Sequence, residues 1–256
     1  MIQLAAPRTW LACHRPNPRA RVRLFCLPYA GGGASTFRRW QEALPQTVEV
    51  CPVQIPGRET RFREPPFTRL ADLAEALGDG LSDYLDLPFA LFGHSMGALV
   101  AFELARQLRR ECHQEPLHLF VSGCAAPHLP REDHQPIHDL PEPAFRREIA
   151  RLNGTPAAVL ENDELMQMML PILRADFAVC ETYTYAEGPP LTCPISAFGG
   201  LQDEAVDREE LNAWRAQTTG PFRLRLVPGD HFFLHTAQPL LLPLLARELQ
   251  GVRVWS

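Results

Sequence analysis

The sequence predicts an α/β fold, a mostly parallel sheet with helices on both faces, and three observations predict it. Short apolar runs alternate with helical patterns along most of the chain, as strand-helix-strand units require. One apolar run ends in Gly93-His94-Ser95-Met96-Gly97 and passes at once into a small-residue helical stretch, which reads as a sharp strand-to-helix turn. The alternation is broken once, from about residue 127 to 190, by helical patterns with no strand between them.

Val22–Leu27 reads as the first strand, Thr36–Leu44 as a helix and Val48–Ile55 as the second strand. Leu70–Leu87 is predicted helical because Leu70, Leu73, Leu77, Leu81 and Tyr84 share one stripe. Phe89–Phe92 is the strand that feeds Ser95, and Met96–Leu108 is apolar nearly all round, with Gly97, Ala98 and Ala101 allowing close approach to a sheet. Leu117–Ser122, Ile195–Phe198 and Phe222–Val227 supply further strands, and Leu240–Leu249 a closing helix. Inside the interruption, a connector rich in proline and histidine (PHLPREDHQPIHDLPEP) leads into a helix over Pro143–Leu152, stopped by Asn153-Gly154. A second helix runs from Glu164 to about Tyr183, started by Asn162 or Asp163 and kinked near Pro171. An insertion at the ligand-facing edge of such a sheet forms a lid. With no repeat, low-complexity tract or linker, the expected organisation is a single domain over residues 1–256 carrying a lid insertion at about 127–190.

Composition narrows the function classes. A chain of 256 residues that is 46% hydrophobic can bury one substantial core. A formal net charge of −5 gives no reason to expect a nucleic-acid partner. The seven cysteines are odd in number and contain no C-x-x-C pair, so reduced thiols fit better than a disulfide framework, several of them as small core hydrophobes. The N-terminal stretch MIQLAAPRTWLACHRP lacks a basic region followed by an apolar segment, and no run approaches a membrane span. The expectation is a cytoplasmic monomer with neither membrane nor nucleic acid as partner.

The G-x-S-x-G spacing alone is weak, arising by chance in roughly two in a hundred chains of this composition. A serine hydroxyl also needs a base to remove its proton and a carboxylate to orient that base. Both are present in the chain order nucleophile, acid, base: Asp203 follows the strand ending near Phe198, and His231 follows the strand ending at Val227. All three candidates therefore lie past the C-terminal ends of strands, on one edge of one sheet. Glu204 and Asp207 rival Asp203, and His235 rivals His231. Two backbone donors are expected for an oxyanion: the N–H of Met96 at the start of the helix, and that of Ala30 in the glycine-rich turn LPYAGGGAS after the first strand. A phosphate cradle at Gly31-Gly32-Gly33 is disfavoured, because the Lys-Ser/Thr of a P-loop is missing and G-x-G-x-x-G is not matched.

At this point the segments LPYAGGGAS, QIPGRETRFREPP, LFGHSMGALVAFELA, LPILRADFAVCETY and TTGPFRLRLVPGDHFFL together resemble the type II thioesterases that accompany polyketide synthases and nonribosomal peptide synthetases. The resemblance runs from about residue 20 to 250. It implies an α/β-hydrolase fold with a helical lid, and hydrolysis of acyl groups from the phosphopantetheine arm of acyl or peptidyl carrier proteins, which clears misprimed or stalled modules. It maps the triad onto Ser95, Asp203 and His231 and the oxyanion hole onto Ala30 and Met96. No metal or bound cofactor is implied, the phosphopantetheine belonging to the partner. The connector from His128 to Asp139 shows no family pattern. A small-molecule carboxylesterase or acyltransferase would use the same triad, and a non-catalytic hydrolase-fold binding protein is a third reading.

Two further features carry expectations. Arg58, Arg61 and Arg63 could form a basic docking surface for an acidic carrier protein, against which stands a solvated loop with Arg58 in a structural ion pair. Met166, Met168 and Met169 crowd one lid helix. Pliable side chains there suit an acyl pocket, with Met168 and Met169 as the substrate-binding candidates, although the same stripe could simply hold the lid to the sheet.

Overall fold

A computed structural model describes residues 10–12, 16–130, 135–152, 154 and 157–251. Cys13, Asn153 of the expected helix stop, and most of the N-terminal stretch lie outside the described residues. Six parallel strands make one sheet: β1 (Val22–Leu27), β2 (Val48–Pro52), β3 (Phe89–His94), β4 (Leu119–Ser122), β5 (Ile195–Gly200) and β6 (Phe222–Val227), in the order β2-β1-β3-β4-β5-β6. Among them run α1 (Trp40–Ala43), α2 (Leu70–Leu81), α3 (Met96–Cys112), α4 (Glu142–Arg151), α5 (Ala157–Leu160), α6 (Asp163–Glu181), α7 (Arg208–Asn212), α8 (Phe233–Thr236) and α9 (Gln238–Gly251).

The alternation of side chains along each strand divides the core. Phe25 and Leu27 of β1, Leu91 of β3, Val121 of β4 and Ala197 of β5 pack with α2 and α3 on one face. Leu24, Cys26, Phe92, Phe120 and Phe198 pack on the other with Phe37, Trp40 and the apolar side of α9. Both faces are covered, which is why these strands are apolar runs rather than alternating ones. Cys26, Cys51, Cys124 and Cys193 are buried thiols outside any disulfide, and burial pushes the Cys193 thiol up to about 12. They are core hydrophobes, not reactive groups.

Expected and observed elements differ chiefly at their ends. The first helix is a short 3-10 turn over Ala34–Phe37 followed by α1, and the helix from Leu70 stops at Leu81 before a 3-10 turn over Ser82–Tyr84. Three short helices escaped the pattern. Of these, α7 opens with a local signal, a capping box in which Asp207 accepts from the Glu210 N–H and Glu210 from the Asp207 N–H. The interruption holds α4, α5 and α6 and no strand among its described residues. It has its own small core of Phe145, Ile149, Met166, Leu170 and Leu173. Asn162 caps α6, accepting from the Leu165 N–H at 3.1 Å, and the helix continues through Pro171. The Glu181 carboxylate near the end of α6 accepts the Ile137 and His138 N–H groups, tying the connector to the lid. No helix among the described residues is long and apolar enough to cross a membrane.

One buried histidine gives the fold a pH response. His118, 2% exposed, stacks on Phe120 with ring centroids 4.1 Å apart and bonds Ser196 Oγ through Nε2 at 2.9 Å. Burial, with the Arg223 charge adding to it, pushes its imidazole down to about 3. As pH falls the unfolded chain therefore takes up this proton first. The contribution is whole above about pH 6.5 and is lost as pH drops toward the folded value. His118→Gln is expected to flatten the dependence of unfolding free energy on pH between about pH 6 and 4, by about 1.4 kcal/mol per pH unit. Urea unfolding of both proteins across that range measures it.

Candidate active site

The sheet order reverses between β1 and β3: β2 lies to one side of β1, and the chain returns to place β3 on the other. The carboxyl ends of β1 and β3 thus form a switch-point crevice. The glycine-rich turn leaves β1 there, and Ser95 follows β3. Gly93 and Gly97 make the junction possible. A Cβ on Gly93 would strike the Gly97 carbonyl and lie 2.5 Å from the Ala98 nitrogen, and one on Gly97 would lie 2.7 Å from the Leu27 carbonyl carbon and the Pro28 oxygen. Without side chains the start of α3 rests directly on the ends of β3 and β1. Ser95 itself takes φ 51° and ψ −117°, with its N–H donated to the Ser122 carbonyl at 2.8 Å. A non-glycine residue in that region is strained. Here packing on both sides enforces the strain, and the serine stands at the crevice.

Asp203 and His231 meet from two neighbouring strand ends. Leu201 donates to the Val227 carbonyl at 2.8 Å, which holds the loop after β5 against the end of β6, and His231 Nδ1 lies 2.9 Å from Asp203 Oδ2. The Asp203 side chain is fully buried, that of His231 19% exposed. Burial works to raise the Asp203 carboxyl. Hydrogen bonds from His231 and from the Ala205 and Val206 N–H groups outweigh it and hold the acid below its ordinary range. An ionised Asp203 accepts the Nδ1 proton and leaves the opposite ring nitrogen of His231 as the basic one. The rivals are occupied elsewhere: Glu204 is exposed, Asp207 caps α7, and His235 Nε2 pairs with the Tyr29 hydroxyl at 3.0 Å.

His94, between Gly93 and Ser95, packs into the site against His231, which its place in the sequence gives no sign of. It is fully buried; its ring centroid lies 5.2 Å from that of His231, and its Nδ1 is 2.9 Å from Ser122 Oγ. Burial, then the His231 and His235 charges, holds it well below the ordinary histidine range. It therefore stays neutral beside the imidazole that Asp203 orients. The Met96 N–H is the first donor of α3, unclaimed within the helix by geometry, and among the described residues no acceptor takes the Ala30 N–H. Also among the described residues, no three His, Cys, Asp or Glu side chains are grouped to hold a metal.

The structure corrects the basic docking surface. Arg58 is buried in an ion pair with Asp176, and Arg61 is buried against Glu64, donating to the Gln54 carbonyl with its guanidinium 4.3 Å from the Trp10 ring centre. Only Arg63 of the three is exposed. Methionine placement is also specific: Met166 is fully buried in the lid core, Met169 packs at its edge, and Met168 is 51% exposed.

A serine on a strained strand-to-helix turn and a histidine on a buried carboxylate, at one edge of a parallel sheet, define an α/β hydrolase of the serine-hydrolase type. Residues 22–248 match the family described as Thioesterase domain. The gramicidin S biosynthesis protein GrsT of Aneurinibacillus migulanus is 45% identical over 243 residues, covering 95% of this chain and 94% of that protein. Thioesterase PikA5 of Streptomyces venezuelae is 42% identical over 227 residues, covering 88% and 80%. The solved RedJ thioesterase from the prodiginine pathway of Streptomyces coelicolor superposes with a TM-score of 0.83 at 46% identity, covering 90% of this chain and 86% of that one. The chain belongs to the thioesterase family, among the type II thioesterases of nonribosomal peptide and polyketide pathways.

The strain at Ser95 is measurable apart from chemistry. Ser95→Gly and Ser95→Ala both lack the hydroxyl, but only glycine relaxes at positive φ. Ser95→Gly is expected to be the more stable of the two by about 1 kcal/mol in urea unfolding. Equal stabilities would mean that the turn stores no strain.

Proposed function

We propose that this protein releases acyl groups from the phosphopantetheine thioester of acyl or peptidyl carrier proteins, with Ser95, His231 and Asp203 as its triad. The observation that carries the reading is the pairing of His231 Nδ1 with a buried, ionised Asp203 at the sheet edge that also presents the strained Ser95, in a chain whose relatives serve such pathways.

In this reading the basic nitrogen of His231 takes the Ser95 proton as the hydroxyl attacks the thioester carbonyl. The Ala30 and Met96 N–H groups receive the developing oxyanion, a donor of this kind contributing about 3 kcal/mol. A thiol with a pKa of about 8.5 departs more easily than an alcohol, so the first step asks little of general acid catalysis. Water, deprotonated by His231, then attacks the acyl-serine and frees the acid. Asp203 keeps the imidazole in one tautomer and stabilises its charged form through both steps. The scheme uses no metal or resident cofactor.

Ser95→Ala and His231→Ala are expected to abolish acyl release while leaving the melting temperature within a few degrees of wild type. Asp203→Asn should retain the fold and lose roughly a thousandfold or more in kcat, because it holds the wrong tautomer. The direct assay is mass spectrometry of acyl-loaded carrier proteins before and after exposure to the enzyme, with the corresponding oxygen esters in parallel. Faster turnover of oxygen esters than of the carrier-bound thioester would replace this reading with that of a carboxylesterase.

A further inference from the structure

The Arg58–Asp176 pair joins three segments far apart in the sequence. Arg58 Nη2 and Nη1 reach Asp176 Oδ1 and Oδ2, each at 2.7 Å, and both side chains are at least nine-tenths buried. Arg58 belongs to the segment after β2, Asp176 to lid helix α6. A buried ion pair is about neutral for stability compared with apolar residues of the same shape, so holding the lid down does not by itself require one. What the pair touches is more specific. Asp176 Oδ2 also accepts the Gly31 N–H at 2.7 Å, and Arg58 Nη1 also donates to the Gly32 carbonyl at 2.9 Å.

Those two groups belong to the turn that carries Ala30. Gly32 donates to the Tyr29 carbonyl at 2.9 Å, Gly31 has φ 76°, and Ala30 is not among the residues of positive φ. Tyr29-Ala30-Gly31-Gly32 is therefore a type II turn with Ala30 at its second position. The Tyr29 carbonyl, held inside the turn, shares a peptide plane with the Ala30 N–H and so fixes that N–H to point the opposite way. Gly31 N–H is consumed by Asp176 and Gly32 N–H by Tyr29. Ala30 is left as the turn's unclaimed donor. The lid presses on the same place: a Cβ on Gly31 would lie 2.6 Å from Leu173 Cδ2.

We propose that Arg58 and Asp176 are positioning residues for the oxyanion hole: by gripping Gly31 N–H and Gly32 C=O, the pair sets the orientation of the Ala30 N–H and makes that orientation depend on the seating of α6. This rests on the reading of Ala30 as an oxyanion donor, and the test separates the two. Ala30→Pro replaces that N–H with the ring Cδ, at the turn position proline favours. Asp176→Asn keeps the shape but cannot serve Arg58 and Gly31 as the carboxylate does. Both variants and their combination are assayed for kcat and KM on a short-chain acyl-N-acetylcysteamine thioester, with circular dichroism melts confirming the fold. Asp176→Asn is expected to lower kcat at least tenfold with KM within threefold, yet to cost no more than twofold in the Ala30→Pro background, where the donor it positions is gone. Equal losses in the two backgrounds, or wild-type kcat in folded Asp176→Asn, would overturn the positioning role. Wild-type kcat in Ala30→Pro would instead overturn the reading of Ala30 itself. Should Asp176→Asn fail to fold, Arg58→Lys enters the same cycle with the same expectations.

Discussion

The first residues of α3 lie in direct contact with the carboxyl ends of β1 and β3, and the arrangement of the site depends on that contact. Gly93 and Gly97 remove the two side chains that would hold the helix away. The helix start then forces Ser95 to φ 51° and seats Gly97 against Leu27 and Pro28 at the end of β1. Parallel pairing carries the effect across the sheet: Leu27 is level with Gly93, and His94 with Ser122. The strained conformation of Ser95 is a consequence of one close approach between a helix and two strand ends.

Charged groups around that contact are held by fixed partners. Asp203 spends its oxygens on His231 and on two backbone N–H groups of its own loop. His94 is kept neutral by burial against Ser122 and His231, so it adds no positive charge beside the imidazole that Asp203 orients. Asp176 and Arg58 neutralise one another while holding the glycine turn. Burial without pairing would cost several kcal/mol at each charge, so the charges near the crevice come as pairs with backbone partners. The lid is part of the same economy. Its helix α6 carries a small apolar core whose Leu173 also meets the glycine turn, and it supplies Asp176 to that turn.

The sequence segments that carry the candidate residues and the folded geometry agree on one sheet edge and divide on what surrounds it. GHSMG, QDEAV and GDHFF stand at three strand ends, and the folded chain gathers them on one edge. The PGRETRFRE segment behaves otherwise. Its arginines read as a surface, yet two of the three are interior groups with fixed partners. A run of charges in a loop usually faces water; Arg58 and Arg61 do not, because Asp176 and the Trp10 ring lie where the loop folds back.

The order β2-β1-β3 that makes the switch point came from the tertiary structure, whereas period and chain order pointed to the strands, to the helical interruption and to Ser95, Asp203 and His231 just past strand ends. Those features rest on local signals: apolar runs of the right length, glycines flanking a serine, polar residues just past strand ends. Tertiary structure alone decided that Arg58 and Arg61 are buried, that Met168 is half exposed while Met166 is core, and that Asp176 touches the turn bearing Ala30. Helix ends moved too, as at Leu81, where a 3-10 turn replaces the last predicted turns of α2. Each of these depends on which segment packs against which, over as many as 118 residues for Arg58 and Asp176 and 145 for Gly31 and Asp176. Spacing along the chain carries no signal for a contact of that range, whose partners are set only when the sheet and lid close on them.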